Sequence, residues 1–303
     1  MQSRHVPPPQ NDAGEDVSGR IEAARAPMPP EPAAPPPPIN PVLVWIIRLG
    51  AYLPNLALFG VMIALWEFTS SVWLPRIDPQ MAVLMPAPTT IVVTAAAMIM
   101  SGELLYHLVA SLKREATAFV FASAAIPIGM AMGWWRPVYN QMNPIVELLR
   151  PIPPLAWIPL SILWFGLGDE QNQFIIFLGM FFPILINTIM GVRNIEPNLV
   201  RAARSLGAPE RRVLTRIVLK GALPQIVTGI RIALGFGWMA LVAAELVGAN
   251  SGLGFLINDA RSMLRTDIIT VGMLTIGIVG LAIDAGIRAL TRRTLLWSLA
   301  MAK

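Results

Sequence analysis

The order of apolar and polar positions along the chain predicts a set of membrane-crossing helices behind a polar, proline-rich beginning. Six apolar stretches follow residue 41: residues 53–74, 117–135, 151–168, 174–192, 221–248 and 268–290. Charges inside them are few: Glu67 in the first, Arg231 and Glu245 in the fifth, Asp284 and Arg288 in the last. A helix of about 20 residues crosses the roughly 30 Å hydrocarbon core of a bilayer, so each stretch has the length of one span. The expectation is an all-α polytopic membrane protein with about six transmembrane helices. Residues 41–52 are too short to cross and carry Arg48, and read as an interfacial lead-in.

Composition agrees. Of 303 residues, 55% are hydrophobic and 14% charged, against about 25% charged in a soluble domain. Mean hydropathy is +0.60. These values exclude a soluble enzyme, a disordered hub and a nucleic-acid reader. The chain has no Cys, which removes disulfides, a thiol nucleophile and Cys-ligated zinc. With His5 and His107 as the two histidines, little is left for a metal site. Twelve of the 28 prolines lie in residues 1–41. That segment has too little apolar surface to offset the entropy of ordering, and reads as a disordered, partly polyproline II cytoplasmic tail. It lacks the basic start and apolar run of a signal peptide. Residues 42–303 form the membrane domain.

Charge placement sets the expected orientation. The loop 193–220 holds Arg193, Arg201, Arg204, Arg211, Arg212, Arg216 and Lys220 against Glu196 and Glu210. It should be cytoplasmic, and both termini with it. The acidic Asp169–Glu170 turn falls outside, whereas Lys113 and Arg114 conflict with this scheme and Arg261 and Arg265 depart from it mildly. Two stripes of small residues, Ala125-Gly129-Gly133 and Gly229-Ala233-Gly237, predict close helix packing.

The same loop has helical periodicity. Pro197 suits a first helical position, and Leu199, Ala202, Ala203 and Leu206 share one face. Gly207 follows where a C-terminal cap is expected. Pro209 opens a second helix with Val213, Leu214, Ile217 and Val218 as its apolar face. On periodicity alone this is equally an amphipathic loop at the membrane surface.

The residues themselves resemble a known pattern. Arg201-Ala202-Ala203, then Gly207, Ile217 and Leu219, followed by Leu223-Pro224, resemble the EAA loop of ABC importer permeases. Arg201 stands where that family usually has Glu, and Lys220 where it has Pro. The run Leu149-Arg150-Pro151-Ile152-Pro153-Pro154-Leu155-Ala156-Trp157-Ile158-Pro159, with Trp164-Phe165-Gly166 and Ala244-Glu245-Leu246-Val247-Gly248, is similar to the nitrate/sulfonate/taurine branch.

The resemblance implies a type I importer permease fold in an inner membrane, enclosed by lipid. It implies a homodimer with a second permease copy, a dimer of ABC ATPase subunits docked on the EAA loop, and a periplasmic solute-binding protein. The cargo would be a small anion or organic solute. ATP would be used by the partner; this chain has no G-x-x-x-x-G-K-S/T phosphate loop and needs no cofactor of its own. Leu199, Arg201, Ala202, Ala203, Leu206, Gly207, Ile217 and Leu219 would carry ATPase coupling.

The third stretch has its own physical reading. Pro151, Pro153, Pro154 and Pro159 cannot all sit within a regular helix. Broken backbone at membrane depth is tolerated where it is buried or lines a cavity. The expected pathway or gate residues are therefore Pro151, Pro153, Pro154, Trp157, Pro159, Asn187 and Glu245. Glu245 reads equally as a structural carboxylate. Asp284 and Arg288 can pair four residues apart, and Glu67 can cap a neighbour. A stand-alone secondary transporter or channel would show inverted repeats or a chain of intramembrane acids, and a membrane enzyme a converged catalytic set. Neither is evident in the sequence.

Overall fold

The computed structural model describes residues 57–294, and all of these but Ala57 and Leu58 belong to one compact unit, Phe59–Lys303. The proline-rich segment 1–41, the lead-in 41–52 and Lys303 lie outside the described residues. Among the described residues every regular element is helical. Four of the long helices cross the bundle from end to end: Glu103–Trp134, broken by a turn into α4 (Glu103–Ala122) and α5 (Ala125–Trp134); α8 (Asp169–Arg193); α10 (Glu210–Gly248); and α12 (Thr266–Thr294). α1 (Ala57–Ile77) is the fifth helix long and apolar enough to span. The short helices α2 (Pro79–Leu84), α3 (Pro88–Met100), α6 (Arg136–Leu149), α7 (Ile158–Phe165), α9 (Pro197–Ser205) and α11 (Leu253–Ser262) join them.

α8 is the centre of the bundle. Ile175, Ile176, Met180 and Ile184 on it are fully buried, and it packs against α10, α5 and α4. Both small-residue stripes face it. A Cβ on Gly129 of α5 would lie 2.8 Å from Thr188 Cβ, and one on Gly229 of α10 would lie 2.7 Å from Asn187 Cβ. Backbones at that separation gain dispersion contacts along their whole length, which is what drives helix association where lipid is as apolar as the side chains.

The structure corrects the sequence reading at four places. The third stretch, 151–168, is broken as its prolines imply, and its helix is too short to cross without α6. Pro154–Trp157 forms a 3-10 turn leading into α7, and this piece meets α6 at a bend of 82°. Pro154 starts the turn, and Pro159 lies in the first turn of α7, where a missing N–H costs nothing. Among the described residues, five helices are long and apolar enough to cross a membrane, or six if the bent pair is one broken crossing.

The second span begins at Glu103 rather than at residue 117. His107, Lys113, Arg114 and Glu115 mask its apolar character in the sequence, yet three of these four are buried. The helix expected to open at Pro209 is not separate: Glu210–Gly248 is one 39-residue helix, with a π-type segment at Leu214–Val218. Finally α3, a 13-residue apolar helix absent from the sequence reading, starts under Glu67, whose carboxylate accepts from the Thr89 N–H at 3.1 Å and hydroxyl at 2.9 Å. Glu67 therefore caps a neighbour at a helix N-terminus, where a negative charge is favoured.

Candidate functional site

Three places gather the chemistry-bearing residues. The first is the turn between α9 and α10. Pro197 occupies the first turn of α9 behind Glu196 in extended conformation. The helix closes on Gly207, at φ +75°, with the Leu206 N–H donating to the Ala202 carbonyl and the Ala208 N–H to that of Ala203, each at 3.1 Å. This left-handed closure satisfies the last carbonyls and suits glycine, which has no Cβ to clash.

The expected single apolar face of α9 splits in two. Ala203 and Val200 turn inward onto a cluster around Val213, Val218 and Ile226, with Ile217 and Leu219 in the same cluster. Leu199, Ala202 and Leu206 turn outward, and Leu206 is 88% exposed. Ile217 and Leu219 thus brace the turn from below, while the leucines and Ala202 present it.

Charge surrounds the turn. Arg204 pairs with Glu210 across Gly207 at 2.9 Å, and Glu210 accepts from the Trp134 indole N–H at 3.1 Å. Arg193 lies over the Tyr139 ring at 3.5 Å. Arg201 is exposed and opens onto a cavity of about 780 Å³ that also meets Arg136, Arg193, Arg204 and Glu210.

The second place is the break between α6 and α7. A cavity of about 310 Å³ lies between this break, the middle of α8 and α10. Pro154, Trp157 and Asn187 line it together, with Arg150, Phe182, Ile232 and Phe236. Asn187 donates from Nδ2 to the Pro183 carbonyl at 2.8 Å. Trp157 sits in an aromatic group with Trp164 and Phe174, ring centroids 6.4 Å away in each case. Pro151, Pro153 and Pro159 shape the break but are not among the residues that line this cavity.

Glu245 is not with them. It is 1% exposed and belongs to a third place, at the Gly248 end of α10. Its carboxylate accepts from Arg114 Nη1 at 2.7 Å, from Ser111 Oγ at 2.8 Å and from the Gly254 N–H at 2.9 Å. Arg114 reaches on to Asp169 at 2.6 Å and donates to the Ser251 carbonyl at 2.6 Å. The His107 Nδ1 accepts from the Gly252 N–H at 3.1 Å. Gly252 has φ +110°, and a Cβ there would run into the Glu245 carboxylate. One arginine thus ties α4 to α8, α10 and the loop before α11.

This network removes the conflict that Arg114 posed for orientation: it is an internal ion-pair residue, not a loop charge. Lys113 beside it is exposed. Sequence reasoning missed Ser111, Arg114 and Arg150. Their only signal was polar character beside apolar neighbours. Asp284, by contrast, pairs with Arg288 at 3.0 Å as its spacing predicts, and Arg231 of α10 joins it at 2.9 Å.

Known proteins place this geometry. The family model described as "Binding-protein-dependent transport system inner membrane component" matches residues 125–295, which hold α5 to α12, the first two places and Glu245 of the third, but not its Ser111 and Arg114. The taurine transport system permease of Escherichia coli is 44% identical over 199 residues, covering 65% of this chain and 72% of its own length. A permease named for aliphatic sulfonates in Bacillus subtilis is 36% identical, covering 81% and 88%. The bicarbonate transport system permease of Synechococcus elongatus is 34% identical, covering 82% and 91%. Among solved structures, an inward-facing MetNI methionine ABC transporter chain shares the fold at a TM-score of 0.52, with 21% identity, over 64% of this chain and 98% of that one. A multi-pass helical bundle, a glycine-closed basic turn and these relatives converge: the chain belongs to the family of binding-protein-dependent transport system inner membrane components, the permeases of ABC importers.

Proposed function

We propose that this chain is the pore-forming subunit of an importer for small anions, driven by a separate ATPase pair that grips the α9–Gly207–α10 turn. The observation that carries the ATPase reading is the outward face of α9. Leu199, Ala202 and Leu206 stand exposed beside a rigid glycine closure, ringed by arginines. An apolar ridge with a small residue at its centre suits insertion into a groove. The turn rests directly on α10, so a push on α9 is delivered to a helix that runs the length of the bundle.

The anion class is supported by the relatives for taurine, sulfonates and bicarbonate, all of which carry an anionic oxygen group, taurine as a zwitterion. The cavity at the α6–α7 break is a candidate part of the path, since broken backbone and aromatic side chains meet there at mid-bundle. The path is completed by a second copy, and solute is delivered by a periplasmic binding protein. Both termini and the 193–220 loop lie on the cytoplasmic side of the inner membrane, and residues 1–41 are a tail dispensable for transport. The chain uses no cofactor of its own and hydrolyses no ATP.

Two measurements test this. Purification of the tagged chain from its native membranes in mild detergent should bring down an ATPase subunit and an untagged second copy. Vesicles holding the complex and its binding protein should take up taurine, an alkanesulfonate or bicarbonate only with ATP. Recovery of the permease alone after cross-linking, or uptake driven by an ion gradient without ATP, would overturn the reading.

A further inference from the structure

The cavity at the α6–α7 break contains one cation that nothing in the fold accounts for. Arg150 caps the end of α6 and lines the cavity together with Asn187 and Trp157. The other lining groups are apolar or aromatic, and no carboxylate is among them. Arg150 is exposed, and its guanidinium has no ion pair among the described residues. Other arginines set within the bundle are paired: Arg114 with Glu245, Arg231 and Arg288 with Asp284.

Depth makes this unusual. The cavity faces Leu178–Asn187 of α8, a helix running from Asp169 to Arg193, and Ile232–Phe236 of α10, which runs from Glu210 to Gly248. Both wall segments lie in the middle of their spans. An unpaired guanidinium at that depth does not face lipid, because a charge there is costly and marks a water-filled path by default. The face that carries Arg150 must therefore meet water or a second copy of this chain.

We infer that Arg150 is the charge-selecting residue of the translocation path, drawing a small oxyanion into the cavity that it lines with Trp157 and Asn187. A guanidinium presents paired donors that match the oxygens of a sulfonate, a carboxylate or bicarbonate. Low-dielectric walls focus its field, so one positive charge suffices to favour anions over cations. The cavity of about 310 Å³ suits a small solute and not a large one. Absence of any acidic partner leaves the guanidinium free to exchange its water for cargo, then release it. This rests on the anion reading above.

The chain has no cysteine, which makes the test direct. Asn187→Cys is placed in the full complex in membrane vesicles, and modification of the permease is followed by mass with two thiol reagents. One is the anionic sulfonatoethyl methanethiosulfonate, the other its cationic trimethylammonioethyl analogue. With Arg150 present, the anionic reagent should gain about fivefold or more over the cationic one, relative to their rates on a free thiol. Arg150→Gln should abolish that preference and Arg150→Lys restore most of it. An unchanged ratio in Arg150→Gln, or no reaction at position 187, overturns the inference.

Uptake of taurine and bicarbonate by the otherwise unaltered complex gives the second readout. Arg150→Gln should lower it about tenfold and Arg150→Lys less than about threefold, at equal membrane content. Uptake within twofold of wild type in Arg150→Gln overturns the assignment while leaving the anion reading intact. A wild-type complex that moves only solutes without a sulfonate, carboxylate or other anionic oxygen group overturns the anion reading, and with it the role of Arg150 as cargo selector.

Discussion

The Arg114–Glu245 and Arg204–Glu210 pairs are chemically the same, at 2.7 and 2.9 Å, but stand in opposite surroundings. The first has side chains 6% and 0% exposed; in the second both are 54% exposed. Taking a charge out of water is costly, so the buried pair holds only because Ser111 and the Gly254 N–H satisfy what Arg114 leaves open. The exposed pair exchanges freely with water and is worth little. One end of the bundle is thereby locked and the other left open to water. If an ATPase pushes on the open end, as proposed above, a rigid far end would turn a local push into rotation of whole helices.

The strongest way to break the contrast is Arg114→Ala. It strands Glu245 as a buried, unpaired carboxylate and should cost about 3–5 kcal/mol. The detergent-solubilised variant should melt far below wild type or fail to accumulate. Melting within about 2 °C of wild type would mean that the network is not structural.

Gly207→Val acts at the free end. Val at φ +75° is strained by about 1–3 kcal/mol, and the strain falls on the turn rather than the core. Membrane content should be normal while uptake and ATPase recovery fall about tenfold, the scale of 1.4 kcal/mol of lost coupling. Full uptake would detach the turn from coupling.

Arg201→Glu sharpens the same end. It installs the residue that the family usually carries. If the partner ATPase is matched to Arg201, copurification should fall about fivefold; unchanged recovery would show that Arg201 faces its cavity and not the partner. The smallest effect belongs to Arg204→Ala, under about 0.5 kcal/mol. A double-mutant cycle with Glu210→Ala, read by thermal melting, should return a coupling of that size. A loss above about 1 kcal/mol would erase the distinction between the two ends.

The free end was the legible one. Pro197, Gly207 and Pro209 are local punctuation, and each sits where its backbone preference requires. The stripes on α5 and α10 were legible too, because a four-residue period keeps small side chains on one side wherever the helix is placed. The locked end was opaque. Glu245 read equally as gate or structural group, and Arg114 as an orientation error, since the two lie 131 positions apart with no sign of the pairing between them. The split of α9 into an inner Ala203 and an outer Ala202 was beyond reach for a related reason: adjacent residues differ by about 100° of rotation, and only the position of Val213 and Ile226 says which side is in.

By itself the sequence determined that the chain is a helical membrane protein, where most spans lie, which loop is basic and where that loop turns. Those are consequences of hydropathy and backbone preference, which act along the chain within one or two helical turns. Only the tertiary structure decided that the proline-rich stretch pairs with α6 at a sharp bend, that Glu245 is sealed against Arg114, and that Arg150 faces a cavity with no counter-charge among the described residues. Each depends on what another helix brings to the same point at low dielectric, where a single partner decides whether a charge is structural or available.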